Sequence, residues 1–216
     1  MVNISVVTGT LDRKHLLSAI LDNTIHKDDR LELVLVDGGS TDGTQEYIKS
    51  LNHPRIKLVE LGHRSSYAHY MNIGVRAATH EIIAQWNDDV ELINEWDDVF
   101  NLITDTYSIY RFWFIPYGEE HKIKHEVCIN FGLYRKDVYR KVGLYNYDFD
   151  YYFADSEMCS RAKLLGFDVR DCTNIVVKEL VGEKQAIKCD IGNQLFKRTL
   201  SRIEHTRLLP PGVELL

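Results

Sequence analysis

Polar and acidic residues gather at three places in the first half of the chain, each directly after an apolar run. These places are Thr8-Gly9-Thr10-Leu11-Asp12, Asp37-Gly38-Gly39-Ser40 and Asn87-Asp88-Asp89. Carboxylates beside a phosphate repel it unless a cation lies between them. A Mg²⁺ or Mn²⁺ ion held by a carboxylate and a diphosphate provides that cation. We therefore predict a metal-assisted nucleotide site at these three places.

Two common phosphate-binding motifs are missing from the sequence. No G-x-G-x-x-G follows the first apolar run, and G-x-x-x-x-G-K-[ST] occurs nowhere in the chain. A nucleotide bound here would therefore rest neither on a dinucleotide fingerprint nor on a P-loop.

The elements that must position these residues follow from the pattern of apolar runs. We predict strands at residues 4–8, 31–36, 56–61 and 81–86, with amphipathic helices between them, the third at residues 67–78. This βαβαβαβ pattern predicts an α/β protein with a doubly wound, Rossmann-like first half. Ligands of such sheets bind outside the carboxyl ends of the strands, where the three polar places lie.

The second half of the chain has a less regular pattern. The elements predicted there are strands at residues 108–115, 125–134, 167–170 and 175–178, a helix at residues 155–165, and a last helix from about residue 184. No linker is evident, and a chain of 216 residues can bury one core. We predict a single domain over 1–216, divided into a nucleotide-binding half (1–90), a second half (91–180), and a C-terminal helix and tail (181–216).

Charge and composition argue against several classes of protein. The net charge is −6, and the basic stripe of a nucleic-acid-binding protein is absent. The most basic stretch contains Lys197, Arg198, Arg202 and Arg207. We interpret it as the solvated face of a C-terminal helix, with contact to an anionic membrane or acceptor as the alternative.

The cysteines and the apolar runs indicate the cellular compartment in which we expect the protein. The four cysteines show no C-x-x-C spacing, and the first residues lack the long apolar stretch of a signal peptide. No apolar run approaches the roughly 20 residues that span a bilayer. We expect reduced thiols in a cytoplasmic protein, with any membrane contact being peripheral.

Five motifs, taken in order, resemble glycosyltransferase family 2, the inverting transferases of the A-type fold. They are residues 9–13 for P-T-Y-N-R, residues 36–44 for V-D-D-G-S-x-D-G-T, Ala68 to Ala78 with Asn72 and Gly74 for A-x-N-x-G, residues 87–89 for D-x-D, and residues 142–166 for the late v-G-x-f-D…E-D segment. The resemblance runs from residue 4 to about residue 178. It implies an A-type glycosyltransferase fold, with a doubly wound, mixed and mostly parallel sheet flanked by helices. It also implies that residues 1–90 are the nucleotide-sugar-binding half and residues 91–180 the acceptor and catalytic half.

The resemblance also implies roles for individual residues. Asp155 would be the general base for the acceptor hydroxyl, Asp89 the metal ligand, and Lys178 would stand in for a histidine near the diphosphate. Residues implied to contact the nucleotide are Thr8, Thr10, Asp12, Asp37, Asn72, Asn87 and Asp88. The chain departs from the family at Asn87 and Ala154, where relatives have acids, and at Gly38, where an acid often contacts the base.

The ligands implied by the resemblance are those of sugar transfer. The donor would be a UDP-, dTDP- or GDP-sugar with Mn²⁺ or Mg²⁺, and the acceptor a glycan, a lipid-linked glycan or a protein. The segment after Lys178 offers little acceptor domain, so we expect partner domains or chains to complete the active unit.

Several residues also have a purely structural interpretation. Asp37, Asp89 and Asp155 suit helix caps and turns, and Arg161 has the spacing to pair with Glu157. A non-catalytic nucleotide- or glycan-binding module of the same fold is the main functional alternative. A sugar nucleotidyltransferase is a weaker one, because residues 9–13 lack the glycine-rich, basic triphosphate loop.

Overall fold

The computed structural model describes residues 2–103, 108–119, 122–124, 131–149, 153–182, 190–206 and 208–216. The strands are β1 Ile4–Thr10, β2 Leu31–Asp37, β3 Ile56–Glu60, β4 Ile82–Gln85, β5 Val90–Leu92, β6 Ser108–Ile115, β7 Gly132–Arg135 and β8 Asp168–Glu179. The helices are α1 Leu17–Asn23, α2 Thr44–Leu51, α3 Tyr67–Ala77, α4 Trp96–Leu102, α5 Lys136–Val142, α6 Ala154–Leu164 and α7 Asp190–Thr206. A short 3-10 turn, Lys14–Leu16, precedes α1.

The first four strands form the parallel part of the sheet. Their order is β3-β2-β1-β4, and β1 pairs in parallel with both β2 and β4. This is the order of a doubly wound nucleotide-binding half. Every residue of β2 is buried, as its unbroken apolar sequence predicts for a central parallel strand. The predicted Rossmann-like first half is confirmed.

The remaining strands complete a mixed sheet, whose full order over the described residues is β3-β2-β1-β4-β7-β6-β8-β5. Strand β7 is antiparallel to β4 and β6, β8 is parallel to β6, and β5 is antiparallel to β8. Only β5 and β7 therefore oppose the common direction within the described sheet. The predicted mixed, mostly parallel sheet is confirmed.

One predicted pair of strands is a single strand in the structure. Residues 168–170 and 175–178 both belong to β8, with Phe167 just before its start, and β8 pairs with β6 through a register shift between Phe112 and Trp113. The partners of these two residues are Cys172 and Val176, so the bulge takes up residues 173–175. Thr173 and Asn174 are exposed there, and their polarity is what divided the strand in the sequence pattern.

Other predicted elements differ in extent. The helix predicted at 155–165 is α6, displaced by one residue. Of the strand predicted at 125–134, residues 125–130 lie outside the described residues. The last helix is described from Asp190, and residues 183–189 lie outside the described residues. The pattern did not predict β5, α4 or α5, which have three, seven and seven residues and are too short for a clear period.

Apolar clusters cover both faces of the sheet. Val6, Leu33 and Trp86 pack on one face, and Val7 with Val34 on the other. Helix α3 approaches the second face closely because it carries Gly74. A Cβ atom at that glycine would lie 2.3 Å from Val7 Cγ1. Among the described helices, none combines the length and apolar character needed to cross a bilayer.

Candidate active site

A cleft of about 570 Å³ lies at the carboxyl ends of the central strands. Its lining consists of Gly9, Thr10, Leu11, Arg13, Val36, Gly38, Leu61, Arg64, Ser65, Tyr67, Tyr70, Asn87, Asp88, Asp89, Phe131, Asp155 and Glu179. The fold thus brings Thr10, the Asn87–Asp89 acidic strand end and Asp155 to one cavity. These residues come from β1, from the turn after β4 and from α6, as the resemblance implied.

An arginine neutralises the acidic strand end. Arg13 Nη1 lies 3.2 Å from Asp89 Oδ2, and both side chains are mostly buried, at 18% and 21% exposure. Burial raises the pKa of Asp88 to about 6, although the Thr10 hydroxyl and the Arg13 guanidinium act in the opposite direction. The acidic strand end therefore combines two neighbouring carboxylates with the positive charge of Arg13.

Asp37 organises the loop after β2. It is fully buried, and its carboxylate accepts hydrogen bonds from Gly39 N at 2.9 Å, Ser40 N at 3.0 Å, the Ser40 hydroxyl, and Gln45 Nε2 at 2.5 Å. The adjacent Gly38 lines the cleft, whereas Asp37 is not among the described lining residues. The structure thus gives this carboxylate the turn-forming role that was its alternative interpretation.

Asp12 joins the loop after β1 to the loop after β2. Its backbone is left-handed, with φ at 53°, and its Oδ1 accepts a hydrogen bond from Thr41 N at 2.7 Å. Its own backbone N–H donates to Ser40 Oγ at 2.9 Å. Thr8 is buried in β1, where its hydroxyl donates to the Gly9 carbonyl at 3.1 Å. Neither residue is among the described lining of the cleft.

Asn72 lies behind the cleft wall and is fully buried. Its Nδ2 donates to the Tyr145 carbonyl and its Oδ1 accepts from the Tyr145 backbone N–H, both at 2.8 Å. The side chain thus completes the hydrogen bonding of a backbone segment in the second half of the chain. The structure does not bring it to the described cleft lining.

Lys178 and its neighbour Glu179 differ in their relation to the cleft, although both lie on β8. Glu179 lines the cleft, and Lys178 is not among its described lining. Consecutive residues of a strand point to opposite faces, which accounts for the difference. The Glu179 carboxylate also accepts a hydrogen bond from Tyr117 N at 3.2 Å.

Asp155 reaches the cleft from the first turn of α6. Its Oδ1 accepts a hydrogen bond from Ser156 N at 2.8 Å. The N-cap is Phe153, so the structure does not assign the capping role to Asp155. Phe153 has a left-handed backbone, with φ at 70°, and its ring stacks on Phe196 of α7 at 5.6 Å. Such backbone strain in a bulky residue is concentrated at functional sites.

A buried ion pair fixes α6 to the rest of the fold. Arg161 Nε and Nη2 donate to the two carboxylate oxygens of Glu157 at 2.8 and 2.9 Å, and both residues are fully buried. This confirms the predicted pairing of these residues. Arg161 also donates to the carbonyl of Leu144 at 2.8 Å and to that of Gly143 at 3.2 Å. Arg161 from α6 and Asn72 from α3 thus hold adjoining parts of one segment.

Several lining residues were missed by sequence reasoning. They are Arg13, Arg64, Tyr67, Tyr70 and Glu179. Arg13 stands within a motif quoted above, and an arginine beside an acid-rich strand end could have been recognised as its charge partner. Tyr67 and Tyr70 lie on one face of α3, and burial raises the pKa of both hydroxyls. A Cβ atom at Gly9 would lie 2.8 Å from the Tyr70 ring, so this glycine makes room for the tyrosine.

The side chains that could ligate a metal determine whether an ion fits in the cleft. In the described part of the chain, no three His, Cys, Asp or Glu side chains are grouped so as to hold a metal ion by themselves. Mg²⁺ is commonly bound by one or two carboxylates together with substrate phosphates and water. Asp88 and Asp89, with the Asn87 amide beside them, therefore fit a metal shared with a diphosphate rather than a closed protein site.

Comparison with known proteins supports this picture. The family model described as glycosyl transferase family 2 matches residues 5–141. The fold is similar to that of the mannosyltransferase PcManGT from Pyrobaculum calidifontis in complex with GDP-Man and Mn²⁺ (TM-score 0.67, 20% identity, covering 97% of this chain and 66% of that one). It is also similar to S. aureus TarS 1-349 in complex with UDP-GlcNAc (TM-score 0.76, 14% identity, 93% and 66%). No curated protein sequence matches the chain.

These likenesses confirm the predicted A-type glycosyltransferase fold. At 20% and 14% identity they establish the fold alone. The chain spans 66% of the length of each of these two neighbours.

Proposed function

Because the chain belongs to glycosyl transferase family 2, we propose that it transfers a sugar from a nucleotide-sugar donor to an acceptor hydroxyl with inversion at the anomeric carbon. The observation that carries this proposal is the meeting of Arg13, Asp89 and Asp155 in one cleft. A cation and a potential metal ligand at one place suit a diphosphate, and a carboxylate in the same cavity suits an acceptor hydroxyl.

The donor binds with its nucleoside against the loops after β1 and β2. Thr10, Leu11 and Gly38 line this end of the cleft. Because Gly38 has no side chain, backbone groups and neighbouring residues recognise the base. Asn87 lines the cleft, and its amide bonds a ribose hydroxyl or a phosphate-bound water in the proposed complex. Asp12 and Asp37 support binding indirectly by holding the two loops in shape.

The diphosphate lies near the acidic strand end. Arg13 and Arg64 both line the cleft and supply positive charge toward it. The proteins named in the comparison are complexes with GDP-Man and Mn²⁺ and with UDP-GlcNAc, which supports a nucleotide-sugar donor and a divalent metal here. A metal on Asp89, when bound, would neutralise phosphate charge and stabilise the departing diphosphate. Lys178 on β8 remains a proposed further source of positive charge.

The reaction is one in-line displacement. The acceptor oxygen forms a bond to the anomeric carbon while the bond from that carbon to the diphosphate oxygen breaks, and the bonding pair leaves with the nucleoside diphosphate. Asp155 takes the proton of the acceptor hydroxyl. Arg13 stabilises the negative charge that develops on the leaving group.

Asp155 is a modest base, so positioning must supply much of the acceleration. Its place in the first turn of α6 favours the ionised carboxylate and weakens its basicity. Holding donor and acceptor in line lowers the barrier by removing translational and rotational freedom beforehand. The buried Glu157–Arg161 pair keeps α6, and with it Asp155, fixed relative to the cleft.

The direct test is transfer from UDP-, dTDP- and GDP-sugars to a panel of glycans, lipid-linked glycans and glycopeptides in the presence of Mn²⁺. We expect release of one nucleoside diphosphate together with a product of inverted anomeric configuration. A protein that binds a nucleotide but turns over no donor would instead favour a non-catalytic binding module. Retained configuration in the product would exclude single displacement.

A further inference from the structure

Helix α7, Asp190–Thr206, has two faces of different character. Ile203 is fully buried, Thr199 is 7% exposed, and Phe196 stacks on Phe153. The opposite side carries exposed Lys197, Arg198, Ser201, Arg202 and His205, which line a shallow depression of about 490 Å³. We call these five residues the basic face of α7.

Within the described part of the chain, the cations of the basic face have no carboxylate partner. Eight arginines elsewhere in the described chain pair with a carboxylate, namely Arg13, Arg30, Arg55, Arg76, Arg111, Arg140, Arg161 and Arg170. Among the described residues, Lys197, Arg198 and Arg202 form no such ion pair. Helix α7 also carries the exposed acid Glu204, so residues 194–206 have a net charge of +2 in a chain whose net charge is −6.

We propose that the basic face of α7 docks on an anionic lipid bilayer. Its three permanent cations lie within about 8 Å along the helix axis, as the helical rise per residue requires. The depression is shallow and open to solvent, which suits a surface of many negative charges better than one enclosed molecule. Basic side chains close to an anionic leaflet are attracted to it additively.

An exposed apolar side chain follows α7 in the sequence. Leu208, two residues beyond the end of α7, is 62% exposed. Basic residues combined with an exposed apolar side chain are typical of segments that lie in the membrane interface. The packed side of α7 contacts Phe153, two residues before Asp155, so the docked helix supports the helix of the proposed base.

Vesicle sedimentation tests this proposal on the whole chain. The basic-face variant carries Lys197→Gln, Arg198→Gln and Arg202→Gln. The control carries Lys27→Gln, Lys49→Gln and Lys122→Gln, three exposed lysines outside α7, with the same total change in charge. Wild type and control should sediment with phosphatidylserine-containing vesicles and not with pure phosphatidylcholine. The basic-face variant should bind on the order of a hundredfold more weakly, and added salt should release the wild type.

A second variant, Leu208→Ser, separates the apolar contribution from the charge. It should bind anionic vesicles several-fold more weakly while keeping the salt dependence of the wild type. Thermal unfolding of all variants checks that they remain folded. Absence of wild-type binding to anionic vesicles, or equal binding by the basic-face variant and the control, would overturn the proposal. Binding to dextran sulfate or RNA without binding to vesicles would assign the face to a soluble polyanion and also overturn it.

Discussion

Arg13 Nη1 lies 3.2 Å from Asp89 Oδ2, so the proposed metal ligand already has a positively charged partner from the loop after β1. Both side chains line the cleft. A divalent metal on Asp89 must share this carboxylate with the guanidinium or displace it. In either case Arg13 stays beside the diphosphate position, where it offers positive charge in addition to the metal.

Replacing Arg13 with glutamine should weaken nucleoside diphosphate binding most strongly when metal is absent. The expected loss is roughly tenfold, because a charge-assisted hydrogen bond contributes somewhat more than 1 kcal/mol. The same change should strengthen binding of Mn²⁺ alone, since Asp89 loses a competing cation. Isothermal titration calorimetry with Mn²⁺ and with EDTA measures both effects. Arg76→Gln, an exposed arginine of α3 outside the described cleft lining, is the matched control.

Asp155→Asn should abolish the base while leaving donor binding intact. A general base contributes about 10²–10⁴-fold to the rate, so kcat should fall by that factor. The Kd for the nucleoside diphosphate should not change, because the role proposed for Asp155 is toward the acceptor. Asp168→Asn, an exposed acid on β8, serves as control. A near wild-type kcat in Asp155→Asn would remove this residue from the mechanism.

Asn72→Ala should destabilise the protein without a specific loss of nucleotide affinity. The substitution leaves the N–H and carbonyl of buried Tyr145 without their partners, at a cost of roughly 2–4 kcal/mol in the free energy of unfolding. Urea unfolding measures this cost, with exposed Asn101→Ala as control. A variant of normal stability with much weaker nucleotide binding would instead support the direct contact that the family resemblance implies.

Glu32 should make stability depend on acid pH. Burial alone would raise its pKa, but hydrogen bonds from Ser5 and Thr79 and the Lys57 ammonium lower the pKa to about 2. Since this value lies below the ordinary 4.5, Glu32 stabilises the fold above about pH 4.5. That contribution, about 3 kcal/mol for such a shift, is lost as the pH falls toward 2.

The measurement is the free energy of unfolding as a function of pH for wild type and Glu32→Gln. The difference should be largest above pH 4.5 and shrink toward pH 2, the range set by the ordinary and lowered pKa values. Exposed Glu46→Gln should follow the wild-type curve. Parallel curves for wild type and Glu32→Gln would show that the carboxylate is not stabilised in its ionised form.

The sequence correctly predicted the sheet, and it also predicted that residues far apart in the chain lie together at one edge of it. Long apolar runs such as β2 leave no alternative to a buried strand. Polar residues at the ends of parallel strands must lie at one edge of the sheet, which placed Thr10 and the Asn87–Asp89 segment together. The position of Asp155 came from the family resemblance, and the cleft lining agrees with it.

Side-chain direction was harder to predict. Asn72 bonds the backbone of Tyr145, a partner in the other half of the chain that local patterning does not reveal. Which of Lys178 and Glu179 lies on the cleft side of β8 depends on the bulge in that strand, because a shift of one residue exchanges the two faces of a strand. Short elements such as β5 carry too few residues for a periodic signal.

We propose that the cleft at Asp89 binds a nucleotide-sugar donor with a divalent metal. Thermal unfolding of wild type and Asp89→Asn, with UDP, dTDP and GDP in Mn²⁺ or EDTA, tests this binding, because a ligand of the native state raises the melting temperature. One nucleotide should stabilise the wild type in a Mn²⁺-dependent way, and Asp89→Asn should lose this effect. A wild type stabilised by none of the nucleotides, or an Asp89→Asn variant stabilised as strongly as wild type, would show that the cleft does not bind its donor in this way.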